Sequence, residues 1–175
     1  MESDATAALL VMALAVILGL LVVGRNLRRV PEHHVDVVER LGRYHRTLDP
    51  GRHLLTPWID RVRTRLDTRE QTFIVPPAPV ITADDAVMTA DTAVSYRIVD
   101  PVRATYEVHS LTQGLEMLTV TMLRGVMADH DLDRARAHPH ETASDLRRLV
   151  AREAYRWGLD VTRVELRAIE KSAER

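Results

Sequence analysis

Histidine and aspartate residues cluster at one place in the sequence. The segment 129–131 reads Asp-His-Asp, and His138 and His140 follow it closely. Imidazole and carboxylate groups are common ligands of zinc and other transition metals. Pro139, however, lies between the two later histidines and indicates a loop in which each side chain is solvated. We therefore predict that this segment holds no metal ion.

Other arrangements suited to catalysis are also sparse. Asp84 and Asp85 are adjacent, and adjacent residues of a strand point to opposite faces, so this pair indicates a turn. Ser95 lies in an alternating segment, and Ser110 lies at a predicted helix start, so neither is placed as a nucleophile. The chain has no cysteine, and its seven glycines form no phosphate-binding loop. We predict a protein that is not an enzyme and has no cofactor.

Positive charge is concentrated in one part of the chain. The formal net charge of the 175 residues is −1, although the segment 25–69 holds 11 arginines against 6 acids. Acids balance the remaining bases, and aromatic residues make up only 4% of the chain, so nucleic-acid binding is not predicted. The basic segment directly follows a strongly apolar one.

That apolar segment is long enough to cross a bilayer. Residues 5–23 carry no charge, and as a helix they would span about 28 Å, close to the ~30 Å hydrocarbon core. A cleaved signal peptide, the alternative, has a positive start, whereas Glu2 and Asp4 precede this segment. We predict a membrane anchor over residues 1–24 with the anchoring side chains Leu9, Leu10, Val11, Leu14, Val16, Ile17, Leu18, Leu20, Leu21, Val22 and Val23.

The flanks of the anchor predict its orientation. Arg25, Arg28 and Arg29 follow the apolar segment, and only acids precede it. The positive-inside rule then predicts a single-pass protein of the inner (plasma) membrane whose C-terminal domain is cytoplasmic. The same arginines are placed to contact anionic headgroups, within a basic juxtamembrane linker at 25–34.

The rest of the chain predicts one α+β domain over residues 35–169, followed by a short tail at 170–175. Alternating apolar residues predict mainly antiparallel strands at 35–38, 62–66, 72–75, 87–99 and 163–168. Pro76 and Pro77 are expected to end the third of them. Between the last two strands, one helix begins at the Ser110 cap and a second runs over 141–157 to a stop at Gly158. Strands, then helices, then a strand indicate an α+β fold with packed helices. The first helix carries five apolar residues at helical spacing: Leu111, Leu115, Leu118, Met122 and Val126.

An apolar loop before residue 60 has two interpretations. It contains Leu54, Leu55, Pro57, Trp58 and Ile59, and arginines flank it at 52 and 61. In one interpretation Leu54, Leu55 and Ile59 enter the domain core. In the other, Trp58 and its neighbours contact the membrane interface, while the arginines contact headgroups.

Several segments are similar to a known family. They read ERLGRYHRTLDPG (39–51), PWIDRVRTRLDTREQ (57–71), VPPAPVITADDAVMTADTAVSYRIVDP (75–101) and WGLDVTRVEL (157–166). Together they resemble the stomatin/slipin branch of the SPFH (band 7, prohibitin-homology) superfamily.

The resemblance implies a non-enzymatic membrane scaffold. Members of this branch form homo-oligomers that organise lipid microdomains or regulate neighbouring membrane proteins. Prokaryotic members are associated with NfeD-type membrane partners and with membrane proteolysis. The family's apolar loop corresponds to residues 54–59 here, which favours interfacial contact.

Two functional hypotheses follow. The family's long C-terminal helix drives assembly, and residues 170–175 are at most its start, so we expect association through the domain's own faces. The first hypothesis is a self-associating scaffold. The alternative is a monomeric or small-oligomer adaptor that docks one membrane protein partner, such as an NfeD-type protein or a membrane protease. A hydrolase, a third possibility, lacks a nucleophile set in the sequence.

Overall fold

The computed structural model describes residues 12–14, 16–17, 24 and 26–171, with side chains described up to residue 167. The chain divides into two compact units between Asp67 and Thr68. Each unit has its own antiparallel strands, and the helices between residues 101 and 157 belong to the second unit.

The predicted anchor falls largely outside the described residues. Its described members Met12, Leu14, Val16 and Ile17 are helical and exposed. In the part of the chain that is described, no helix is both long and apolar enough to cross a membrane. Outside that part lie Arg25 and the predicted anchoring residues Leu9, Leu10, Val11, Leu18, Leu20, Leu21, Val22 and Val23.

The described strands of the first unit form two small sheets. They are β1 (Leu27–Val30), β2 (His34–Arg40), β3 (Arg43–Leu48), β4 (Gly51–Leu54) and β5 (Asp60–Asp67). One sheet pairs β1 with β4, and the other has the order β3-β2-β5, all antiparallel. The predicted strands at 35–38 and 62–66 are confirmed within β2 and β5.

A buried cluster of Val30, Val38 and Leu48 forms a core in the first unit, and Leu55 and Val62 pack against it half-buried. Each fully buried side chain of this size stabilises the fold by about 1.5–3 kcal/mol. Because Leu55 directly follows β4, this core fixes the start of the apolar loop.

The described strands of the second unit form a three-stranded antiparallel sheet. Its strands are β6 (Gln71–Ile81), β7 (Val87–Ile98) and β8 (Leu159–Lys171), in the order β6-β7-β8. The helices between β7 and β8 are α1 (Pro101–Tyr106), α2 (Leu111–Ala128), α3 (Leu132–Ala137) and α4 (Pro139–Ala154), and a 3-10 turn at Tyr155–Trp157 follows. Helix α2 packs on β6, and α4 packs on β8. The prediction of an α+β fold with antiparallel strands is confirmed.

Strand β6 does not end at Pro76 and Pro77, so that expectation was wrong. The pairing of β6 with β7 shifts register between Val75 and Ala78, and the two prolines occupy this irregularity. Among the described strands β6 lies at the edge of its sheet, where a residue without an N–H is tolerated.

Helix α2 begins as predicted, and Ser110 Oγ accepts a hydrogen bond from the Gln113 N–H at 3.4 Å. Its buried face does not coincide with the helically spaced apolar residues, because Leu111, Leu118 and Met122 are only half-buried. The helix packs against both β6 and α4, which cover a different arc of its surface. The buried residues are Leu115, Thr119, Leu123, Val126 and Met127.

Helix α4 corrects the prediction of a loop around Pro139, which is instead the first helical residue. Proline is favoured there because the N–H at that position has no partner within the helix. The predicted stop at Gly158 is confirmed: its φ is +73°, and a Cβ would lie 2.4 Å from the Asp100 carbonyl oxygen. The short helices α1 and α3 were not predicted, since six residues carry too little periodicity.

Candidate membrane interface

The apolar loop between β4 and β5 exposes most of its large side chains. Trp58 is 91% exposed, with φ at +62°, and Leu54 and Ile59 are 54% and 40% exposed. Leu55 alone packs against the core of the first unit. The two interpretations of the loop are thus divided between its residues: Leu55 enters the core, whereas Leu54, Trp58 and Ile59 face outward.

A buried carboxylate holds the loop closed. Asp60, whose side chain is 0% exposed, accepts hydrogen bonds from Arg40 Nε at 2.8 Å and from the Thr56 N–H at 2.9 Å. The Asp60 N–H donates to the Thr56 carbonyl oxygen at 3.0 Å. Donation from Arg40, and then from Thr56, lowers the pKa of the Asp60 carboxyl well below its usual range. The loop therefore leaves the sheet as a fixed turn with Trp58 at its tip.

Two further leucines extend this surface. Leu41, at the β2–β3 turn, is 81% exposed with φ at +53°, and its N–H donates to the Ile59 carbonyl oxygen at 3.3 Å. Leu27 lies directly opposite Leu54 in the β1–β4 pair and is 54% exposed. We call this set the apolar loop surface: Leu27, Leu41, Leu54, Trp58 and Ile59.

Sequence reasoning missed Leu27 and Leu41. The exposure of Leu41 could have been inferred from the sequence, because it directly precedes Gly42 in a predicted turn, where an apolar side chain is not directed into the core. Leu27 had none, because its place beside Leu54 depends on a strand pairing between distant residues.

The arginines that follow the predicted anchor have different surroundings. Arg28 Nε donates to the buried Asp36 carboxylate at 3.2 Å, and Arg65 Nε donates to it at 2.6 Å. Burial opposes the ionisation of Asp36, but the hydrogen bonds from Arg65 and Arg28 outweigh it and lower the pKa of that carboxyl. Arg29 is exposed. The predicted contact of Arg28 and Arg29 with headgroups stays a prediction.

The histidines and aspartates considered as metal ligands lie at the ends of α2, α3 and α4. Asp129 is the C-cap of α2, and Asp131 precedes α3. His130 is half-buried, whereas His138 and His140 are exposed. Within the described residues, no group of three or more potential ligands comes together.

The residues considered for catalysis also have structural partners. Ser95 Oγ lies 3.0 Å from Thr72 Oγ1, and Ser110 caps α2. Asp84 and Asp85 lie in the predicted turn before β7, and Asp85 has φ at +58°. Neither serine is placed beside a base in the contacts described.

Comparison with known proteins identifies the family. Residues 28–174 match the profile of the SPFH domain / Band 7 family. An uncharacterised protein of Mycobacterium tuberculosis is 40% identical over 166 residues, which cover 95% of this chain and 44% of that protein. An uncharacterised protein of Methanothermobacter thermautotrophicus is 35% identical over 162 residues, which cover 92% of this chain and 51% of that protein.

A eukaryotic relative is also similar. Stomatin-like protein 2, mitochondrial, of Mus musculus is 30% identical over 140 residues, which cover 80% of this chain and 40% of that protein. The chain thus spans about half, or less, of the length of these three relatives. Since the family profile matches most of the sequence, the chain belongs to the SPFH domain / Band 7 family.

Proposed function

We propose that this chain is a non-enzymatic, membrane-anchored scaffold of the stomatin-like type. It self-associates at the cytoplasmic face of the inner membrane and organises lipid microdomains or regulates neighbouring membrane proteins. The observation that carries the proposal is the apolar loop surface, in which Trp58 is 91% exposed and Leu41 is 81% exposed. Several large apolar side chains exposed on one surface are typical of a site that contacts a membrane or another protein.

The chemistry of this surface suits a bilayer interface. The tryptophan ring combines a large apolar area with an N–H, which favours the headgroup level of a membrane. The proposed anchor at 1–24 and the basic linker at 25–34 would bring the domain, residues 35–169, to the bilayer. The Arg40–Asp60 pair keeps the Trp58 turn rigid, so insertion costs little additional ordering.

Membrane contact is tested with a chain of residues 25–175, from which the proposed anchor is absent. We expect the unchanged chain to float with vesicles containing phosphatidylglycerol, and L41D/W58D to lose this while keeping its melting temperature within about 2 °C. Met117→Asp is the matched control, because Met117 is 75% exposed on α2 in the second unit. Flotation that L41D/W58D leaves unchanged would contradict the proposal.

Self-association is tested by the mass of the full chain in mild detergent, from light scattering with the detergent contribution subtracted. A mass many times 19.8 kDa supports the scaffold. A mass of a single copy contradicts it and favours the adaptor hypothesis, in which one membrane protein partner is docked. Crosslinking in membranes then identifies that partner.

A further inference from the structure

The small β1–β4 sheet places two arginines directly opposite each other. Arg29 pairs with Arg52 in the antiparallel register. Residues in such a pair have Cβ atoms about 4.5–5.5 Å apart, and like charges at this separation destabilise the pairing. Both arginines are exposed, and neither has an acidic partner among the residues that the structure describes. Val30 anchors the β1–β4 sheet in the core of the first unit, so the pairing holds the two guanidinium groups close together in spite of this repulsion.

The same face of this sheet carries two exposed leucines. Side chains alternate along a strand, so Leu27 lies on the face of Arg29, and the opposite residues Leu54 and Arg52 lie on that face too. Leu27 and Leu54 are each 54% exposed. A pair of guanidinium groups therefore stands next to a pair of apolar side chains that belong to the apolar loop surface.

Arg28, which precedes Arg29 in the sequence, has an acidic partner in the structure. Arg28 lies on the other face, where the buried Asp36 accepts its hydrogen bond at 3.2 Å. Arg28 is thus paired within the chain, whereas the described residues supply no acidic partner to Arg29 or Arg52.

We propose that Arg29 and Arg52 together bind the phosphate group of an anionic phospholipid, while Leu27 and Leu54 contact its acyl region. A guanidinium group donates parallel hydrogen bonds to the oxygens of a single phosphate group. The arginine pair therefore fits a discrete phosphodiester better than it fits a diffuse negative charge on a surface. The adjacent leucines favour a lipid over a soluble phosphate. This inference rests on the proposed function, because the β1–β4 sheet must lie at the bilayer.

The test uses the full chain reconstituted in phosphatidylcholine bilayers with spin-labelled phosphatidylglycerol or phosphatidylcholine. Electron spin resonance then gives the relative association constant of the anionic lipid. We expect a preference for phosphatidylglycerol that falls by about fivefold, toward one, in R29Q/R52Q. The matched control R136Q/R147Q removes two exposed arginines from the helices of the second unit and should keep the preference.

Two outcomes would overturn the inference. The first is an unchanged lipid preference in R29Q/R52Q, and the second is an equal loss in R136Q/R147Q. In the first case, thermal stabilisation by inorganic phosphate at constant ionic strength that R29Q/R52Q abolishes would assign the pair to a soluble anion. The emission maximum of Trp58, recorded in the same bilayers with Trp157→Phe as background, reports separately on interfacial contact. A blue-shifted Trp58 with no loss of preference would refute this site and leave the proposed function standing.

Discussion

Replacement of Trp58 by glycine should separate membrane contact from folding stability. Trp58 is 91% exposed, so its removal takes almost no packing from the folded state. Its φ of +62° costs a non-glycine residue about 1–2 kcal/mol in the folded state, and glycine removes this cost. Glycine also gives the unfolded chain more conformational freedom, which lowers the stability by about 0.5–1 kcal/mol. We therefore expect Trp58→Gly to raise the free energy of unfolding by about 0–1.5 kcal/mol, although most changes of tryptophan to glycine destabilise proteins.

The same substitution should weaken binding to membranes. A tryptophan side chain buries about 150 Å² or more, and burial of roughly half of that at about 25 cal/mol per Å² gives about 2 kcal/mol. This corresponds to about a thirtyfold weaker partition into vesicles.

The assay combines urea unfolding with sedimentation of sucrose-loaded vesicles, both on residues 25–175. Trp58→Ala is the control: it should lose the same partition but keep the backbone strain, so its stability should lie below that of Trp58→Gly. A destabilisation of more than about 1 kcal/mol in Trp58→Gly would contradict the exposed position of Trp58, since the side chain would then pack in the fold. An unchanged partition would refute the interfacial contact.

The remaining predictions concern the buried contacts of each unit. Asp36→Asn should lower the free energy of unfolding by about 1.5–3 kcal/mol in urea titrations, because two partly exposed arginines lose their hydrogen bonds to a buried carboxylate; a change below about 1 kcal/mol would contradict this. The folded-state pKa of Asp36 lies below its ordinary value of 3.8, so its stabilisation is complete above that value and disappears as the pH falls through the lowered one. Asp36→Asn should therefore flatten the acid limb of a stability–pH profile, and an unchanged limb would count against the assignment. Gly158→Ala should cost about 2 kcal/mol or more, seen as a lower melting temperature, because its Cβ meets Asp100 at φ +73°; an unaltered melting temperature would show that the backbone relaxes.

Local patterns predicted much of the fold because their causes are local. Alternation in 87–99 marks β7, whose apolar residues such as Val94 face the core. The Ser110 cap and the Gly158 stop need only their neighbours in sequence, and both were predicted. Pro139 was assigned to a loop because a proline between two histidines is as typical of a loop as of the first position of a helix.

The parts of the candidate site that escaped prediction depend on contacts between distant residues. Leu41 joins the apolar loop surface through a hydrogen bond to Ile59, 18 residues later in the chain. The opposition of Arg29 and Arg52 arises from a strand pairing that no short pattern encodes. The sequence also left Leu54, Leu55 and Ile59 with the same two alternatives, and only the packing of Leu55 against the core separates it from the two exposed residues.

Contact of Trp58 with the bilayer interface is tested most directly by the quenching of its fluorescence by brominated lipids, in bilayers that contain the full chain. Trp157→Phe leaves Trp58 as the sole tryptophan of the two in the sequence. For Trp58 at the interface we expect strong quenching by bromines placed near the headgroups, weaker quenching by bromines deep in the bilayer, and protection from aqueous iodide. Full accessibility to iodide with no quenching by any brominated lipid would contradict it.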